Sequence, residues 1–340
     1  MTSYSLTAAA AAALIATFPL HGQAAEVTLR LAHWIPAGIS PAAKGITPWA
    51  ESIEKASDGR IDIQIFPAQQ LGAAPDHFDM ARDGIADITW INPGYTAGRF
   101  PILSLVEVPF QVDDSVKGAK AIHEWYSAYV EEEMGDVKLC VMHPHAPGAI
   151  HSKTQIRVPS DVAGKNVRPA HATMARFVTQ LGGAPVQVPA PEAREAIARG
   201  TADAVTFPWG SMYDFKLADL TPYHLDMPLY ISLQAIVMNK GAYANLSPEN
   251  KKVIDDHCTP EWSSKIVEGW AADDAAAYAK LKENPDYTFY KPTEAEVALW
   301  RAEGEKVLDT WRADMKAKGF DADAIYAAYV AALKANDADY

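Results

Sequence analysis

The chain has little cysteine, a shortage of positive charge and almost no long apolar run, and each shortage removes a class of function. Cys140 and Cys258 are its only cysteines. With no CxxC pair there is no ground for zinc-finger or thioredoxin-like chemistry. Lys and Arg number 30 against 43 Asp and Glu, a formal net charge of −13. Such a surface repels nucleic acid and anionic membranes, so any bound anion must be held by local cations. Local cations suffice, because salt screens exposed charges beyond about 8–10 Å. Catalytic signatures are missing too: there is no GxSxG, no GxxxxGK[ST], no GxGxxG and no HExxH. The one long apolar stretch, "LTAAAAAALIATFPL", precedes the small residues of "HGQAA". Residues 1–25 therefore read as a secretory signal peptide, although no Lys or Arg stands before the apolar run. Nothing later is apolar enough to span a bilayer, and no membrane insertion is expected.

What is present describes a globular protein: 340 residues, 49% hydrophobic and 21% charged, enough for two lobes or one large domain. An exported chain can pair its two cysteines. Cys140, in the strand-like "VKLCVMH", reads equally well as a small core hydrophobe.

Strands and helices alternate. "EVTLRLAHW" alternates as a strand and stops at Ile35-Pro36. "SPAAKGITPWAESIEKASDG" has helical spacing, "RIDIQIF" has period two, "APDHFDMARDG" is a short helix and "IADITW" is a strand. The middle of the chain repeats this rhythm with "KNVR", "HATMARFVTQLGG", "APVQV", "APEAREAIARG" and "ADAVTF". "ARDGIADITWINPG" and "ARGTADAVTFPWG" are thus one helix-to-strand junction written twice, with Gly84 and Gly200 116 positions apart. Two α/β units imply two mostly parallel sheets. From about residue 247 the chain reads as helix, beginning with an unusually long run to residue 284. Its aromatics, Trp262, Trp270, Tyr278, Trp300, Trp311, Tyr326 and Tyr329, are expected to pack against the sheets and not to form a site.

Ligands of open parallel sheets sit beyond the carboxyl ends of the strands. That rule brings Trp34, Ile91 and Asn92 to one rim, and Arg168, Phe207 and Trp209 to the other. Arg168 follows a strand and precedes Pro169. Its planar guanidinium matches a carboxylate with two parallel hydrogen bonds, whereas its bland alternative is a structural ion pair. His145 is a candidate donor to the ligand, and Ser232 and Gln234, in "YISLQAIVMNK", can reach the cleft from a connecting strand. His143, His145 and His151 resemble a metal cluster in spacing but lack an accompanying acid, so no metal or other cofactor is expected.

"GRIDIQIFPAQQLG", "ARDGIADITW", the stretch from Val162 to Val205 and "SPENKKVIDD" resemble the solute-binding subunits of tripartite ATP-independent periplasmic (TRAP) transporters. The order strand-Arg-Pro, helix, Gly-Gly-Ala-Pro, Pro-x-x-Glu, Gly-x-x-Asp within 161–208 carries most of the resemblance. It implies a periplasmic α/β clamshell, each lobe a mixed, mostly parallel sheet flanked by helices, with a long helix bracing both. The implied lobes are 26–146 with about 237–276, and 147–236 with about 277–320, followed by a C-terminal helix at 321–340. Hinges are expected near 146–152 and 232–237. The resemblance makes Arg168 the carboxylate anchor of a monomeric receptor that delivers its ligand to a small and a large membrane subunit. The family's usual asparagine is replaced by Phe207, and a second arginine of some members falls on Gly148. Fewer polar anchors and more aromatic wall argue against a dicarboxylate or a sugar acid; an aromatic monocarboxylate comes first, then an ectoine-like zwitterion, whose delocalised cation Trp and Phe can face, then a small hydroxy or keto acid. The competing class is a periplasmic enzyme acting on a carboxylated substrate, which turnover would reveal.

Overall fold

A computed structural model describes residues 25–340. The expected signal peptide lies outside the described residues except for Ala25. The described residues form eleven strands: β1 Val27–Ala32, β2 Ile61–Phe66, β3 Ile88–Ile91, β4 Val137–Pro144, β5 Ala149–Ser152, β6 Asn166–Arg168, β7 Ala184–Pro185, β8 Ala204–Phe207, β9 Tyr223–Leu225, β10 Leu233–Asn239 and β11 Thr288–Tyr290. They form a five-stranded sheet, β2-β1-β3-β10-β4, and a six-stranded sheet, β11-β9-β5-β8-β6-β7. Helices flank both, and the fold is a two-lobed α/β clamshell.

Each lobe contains the parallel pairs that the alternation implies, β2-β1-β3 in one and β7-β6-β8 in the other. The antiparallel members are β10, between β3 and β4, and β5, between β8 and β9. These strands adjoin the crossings between lobes. The chain leaves β4 through 145–148 to enter β5, and returns from β9 through 226–232 to enter β10. Of the residues where hinge strands are expected, 149–152 lie in β5 and 233–237 in β10, and the crossings lie just before them. The crossings pair with each other: Gly148 N donates to Tyr230 O at 2.8 Å, and Leu229 N donates to Gly148 O at 2.9 Å.

The expected long helical run is broken. Helix Pro248–Asp256 ends, Thr259 caps the next helix by accepting from Trp262 N, and Pro260 opens Pro260–Lys282. A capping threonine followed by proline at the first helical position starts a helix and cannot continue one. Pro260–Lys282 spans both lobes: Asp273 pairs with Lys44 of the first at 2.6 Å, and Asp274 Oδ1 accepts from Gly210 N of the second at 2.7 Å. Bracing is shared with Glu294–Ala317. There Trp300 Nε1 donates to Arg157 O at 3.0 Å, and Trp311 Nε1 donates to Pro101 O at 2.9 Å.

Cys140, wholly buried on β4, is bonded to Cys258 in the break between the two helices. Both readings of Cys140 are thus realised. The bridge closes a loop with a sequence separation of 118, and a loop of that order contributes roughly 4–5 kcal/mol in the chain-entropy account. Among the described residues no helix is long and apolar enough to cross a membrane.

Candidate ligand-binding site

The rims of the two lobes face each other across a cavity of about 420 Å3, its open mouth included. Arg168, the last residue of β6, reaches it from one side. Trp34, just past β1, Asn92, just past β3, and Gln234, near the start of β10, reach it from the other. The lobes touch beside it, where Ala190 N donates to Tyr95 Oη at 3.0 Å.

Arg168 is 1% exposed. Its Nε donates to Val188 O at 2.9 Å and its Nη1 lies 3.5 Å from Thr206 O. The guanidinium carbon sits 4.6 Å from the centroid of the Phe207 ring. Backbone carbonyls and an aromatic face aim the group but do not neutralise it. Its Nη2 is buried with no hydrogen-bond partner among the described residues, and no acid forms an ion pair with it there. No Asp or Glu lines the cavity, and Arg168 is the one charged residue that does, among the described residues. The structural ion pair that was its bland alternative is absent from this arrangement.

The wall is aromatic. Trp34 stacks on Trp90 with centroids 4.8 Å apart, and Tyr95 lies 5.6 Å from Trp34. Burial raises the Tyr95 phenol above its ordinary value, with the Arg168 charge acting against it. Burial pushes Tyr230 up as well. Both phenols are neutral hydroxyls at neutral pH.

Arg168, Phe207, Trp34, Asn92, His145, Ser232 and Gln234 all line this cavity. Two of them differ from expectation in what they can do. Burial lowers His145 to about 4, so the ring is neutral. Its Nε2 accepts from Ser232 N at 3.0 Å, which leaves the proton on Nδ1, held by Ala146 O at 2.5 Å. Both nitrogens serve the crossing segments, and the ring is not the free donor that the sequence suggested. Asn92 Oδ1 accepts from Gly94 N at 3.0 Å while its Nδ2 donates to Ser232 Oγ at 3.1 Å, tying the first rim to the crossing.

Trp209 is a correction. Its indole turns away from the cavity and packs on His151, Tyr278 and Phe289, with centroids 4.9, 4.9 and 5.5 Å away. It opens the helix Trp209–Asp214, so it lies two residues beyond the strand end that Phe207 occupies. Trp270, expected to be packing only, lines the cavity from the bracing helix, and Tyr95 and Tyr230 join it. The tyrosines stand two or three residues from candidates read in the sequence. Nothing in the sequence marks Trp270. The three histidines disperse: His143 Nε2 accepts from Trp90 Nε1 at 3.3 Å, and His151 Nδ1 meets His224 Nδ1 at 2.8 Å.

Gly148, where some TRAP receptors carry arginine, has a physical reason to be glycine. A Cβ there would stand 2.6 Å from the Tyr230 ring.

The profile of the bacterial extracellular solute-binding proteins, family 7, matches residues 31–314. The chain belongs to that family. Its structure superimposes on a TRAP solute-binding protein of Rhodoferax ferrireducens in complex with copurified benzoate, with a TM-score of 0.87 and 29% identity, covering 92% of this chain and 98% of that one. It also matches a marine metagenome TRAP protein specific for aromatic acid ligands, in complex with 3-hydroxybenzoate. There the TM-score is 0.87 and the identity 29%, over 92% of this chain and 100% of the other. The ectoine/5-hydroxyectoine-binding periplasmic protein of Ruegeria pomeroyi is 22% identical over 244 residues, 69% of this chain and 71% of that one. The chain is a TRAP solute-binding protein, and these relatives are receptors, not enzymes.

Proposed function

We propose that the protein captures an aromatic monocarboxylate in the periplasm by closing its lobes around the ligand, and delivers it to the small and large TRAP membrane subunits. One observation carries the reading: Arg168 presents an unpartnered buried Nη2 in a cavity lined by aromatic rings and no acid. A buried charge left without its partner costs roughly 3–5 kcal/mol. A carboxylate supplies that partner, and a flat ring attached to it fills the space between Trp34 and Phe207. Closure is then favoured by the ligand alone, because only the closed form brings both rims to it. The benzoate and 3-hydroxybenzoate held by the two solved relatives support the same class.

The test is calorimetry on the mature protein with benzoate, phenylacetate, succinate, pyruvate and ectoine. Aromatic acids should bind best, and Arg168→Ala should abolish their binding while the far-UV spectrum is kept. Binding of benzoate by that variant within about threefold of the wild type would remove the assignment. The aromatic faces also suit a delocalised cation. Ectoine binding with no aromatic acid bound would move the reading to a zwitterion.

A further inference from the structure

Five buried polar atoms on the residues that line the cavity have no partner among the described residues: Arg168 Nη2, Tyr230 Oη, Trp34 Nε1, Trp270 Nε1 and Gln234 Oε1. Buried polar atoms are ordinarily satisfied, and an orphan costs roughly 1–3 kcal/mol. Five around one cavity describe the polar outline of what fills it. They divide by chemistry. Arg168 Nη2, the two indole N–H groups and the Tyr230 hydroxyl donate, and a carboxylate satisfies donors. Gln234 Oε1 accepts only, and a carboxylate oxygen placed against it repels.

The one charged donor and the one acceptor sit on opposite lobes. Arg168 ends β6 in the six-stranded sheet, and Gln234 stands near the start of β10 in the five-stranded one. Gln234 faces His143 across the β10–β4 ladder, flanked by Ser232, whose hydroxyl is taken by Asn92. Gln234 is 3% exposed, so its oxygen has no solvent to turn to. A hydroxyl donates to such an oxygen and keeps lone pairs for a donor such as an indole N–H.

Resting on the aromatic-acid reading above, we infer that the ligand carries a ring hydroxyl in addition to its carboxylate, and that Gln234 Oε1 reads it. A plain aromatic acid leaves Gln234 Oε1 without a donor. A hydroxylated one is held by hydrogen bonds from both lobes, so recognition of the hydroxyl and closure become one event. Gln234 is then a specificity-determining residue, because a site built to pair a hydroxyl penalises the ligand that lacks it.

The experiment is titration calorimetry of the wild type and Gln234→Met with benzoate, phenylacetate, their monohydroxy isomers and the matching methoxy ethers. In the wild type at least one hydroxy isomer should bind about tenfold tighter than its unsubstituted parent, and its methoxy ether, which cannot donate, should lose that gain. In Gln234→Met the ratio of hydroxylated to parent affinity should fall to about one. If the parents bind and no hydroxy isomer gains, or if the gain survives in Gln234→Met, the hydroxyl inference is overturned while the aromatic-acid reading stands. If no aromatic acid binds, both fall together. Should Gln234→Met fail to fold, the wild-type comparison of hydroxy, methoxy and parent acids decides alone.

Discussion

The two copies of the helix-to-strand junction share their turn geometry and most of its backbone hydrogen bonds until the strand ends, and there they part. Gly84 and Gly200 both take left-handed backbone, with φ of 72° and 76°, where a side chain would be strained. Gly84 N reaches Ala81 O as Gly200 N reaches Ile197 O, and Ala86 N reaches Met80 O as Ala202 N reaches Ala196 O. The following aspartates do the same work. Asp87 Oδ2 accepts from Arg30 N at 2.8 Å, and Asp203 Oδ2 accepts from Asn166 N at 2.9 Å, each fastening the neighbouring parallel strand one residue before their first register pair. Beyond that, the first copy ends in Ile91-Asn92 and the second in Phe207-Pro208. The scaffold repeats because parallel strands need the same junction twice. The rims diverge because one presents indoles and an amide, and the other presents a cation on an aromatic face.

The largest effect expected from breaking this division is at Arg168. Arg168→Ala should weaken aromatic-acid binding by a hundredfold or more, consistent with roughly 3–5 kcal/mol for one half of a buried charged pair. Arg168→Lys should recover only part of it, since an ammonium lacks the planar fork. Next come the aspartates. Asp87→Ala and Asp203→Ala should each cost about 1.5–3 kcal/mol in urea unfolding, the range for a hydrogen bond to a charged group. The two should match to within about 1 kcal/mol, although Asp87 also pairs with Arg30 Nε at 3.0 Å, because half-exposed pairs contribute little. A larger gap between them would break the equivalence of the copies.

How much of this was legible in the sequence follows from what each signal encodes. The junctions, the rims and Arg168 could be read because glycine, proline and strand alternation are local backbone physics. The direction of β5 and β10 could not, since antiparallel entry is set by the crossings and leaves no pattern in either strand. "CTPEW" held the capping threonine and proline that split the long helix, a signal present but overridden by the length of the apolar spacing around it. Trp209 was misplaced because a strand-end rule does not say which of two aromatics two residues apart, Phe207 or Trp209, turns inward. Trp270 reaches the cavity only through the packing of the bracing helix against both lobes.

A smaller effect tests the contact that joins the lobes behind Arg168. His171 Nδ1 accepts from Met174 N at 3.2 Å and its Nε2 faces Ile231 O at 3.1 Å, so the ring proton is on Nε2. Burial lowers this histidine to about 3 and raises Glu107 to about 8, and Glu107 Oε2 lies 3.2 Å from His171 Nδ1. Glu107 is therefore held as a neutral carboxyl against the ring. Its folded value exceeds the ordinary 4.5, so the folded state holds a proton that the unfolded chain has released. The stabilisation is full below about 4.5 and is lost as pH rises through about 8. Glu107→Gln keeps a donor without the titration. Its urea midpoint should rise relative to wild type between pH 6 and pH 8.5, and parallel curves would show that Glu107 is already ionised.

The finest test exchanges the divergent strand ends. Position 207 answers to Ile91 in the first copy, and its phenyl lies both under Arg168 and against Phe215, with centroids 5.4 Å apart. Phe207→Asn replaces that aromatic face with an amide that can assist Arg168 in holding a carboxylate. Offset stacking contributes roughly 0.5–1.5 kcal/mol beyond burial, which corresponds to about a two- to twelvefold change in affinity. The ratio of benzoate to succinate affinity should fall by that factor, read by thermal shift across the acid panel. Phe207 is 4% exposed, so the variant will also lose stability, but a general loss lowers every melting point and leaves the ranking of ligands unchanged. Only a change of order reports on the rim, and an unchanged order would mean that Trp34, on the other lobe, and Trp270, on the bracing helix, set the preference by themselves.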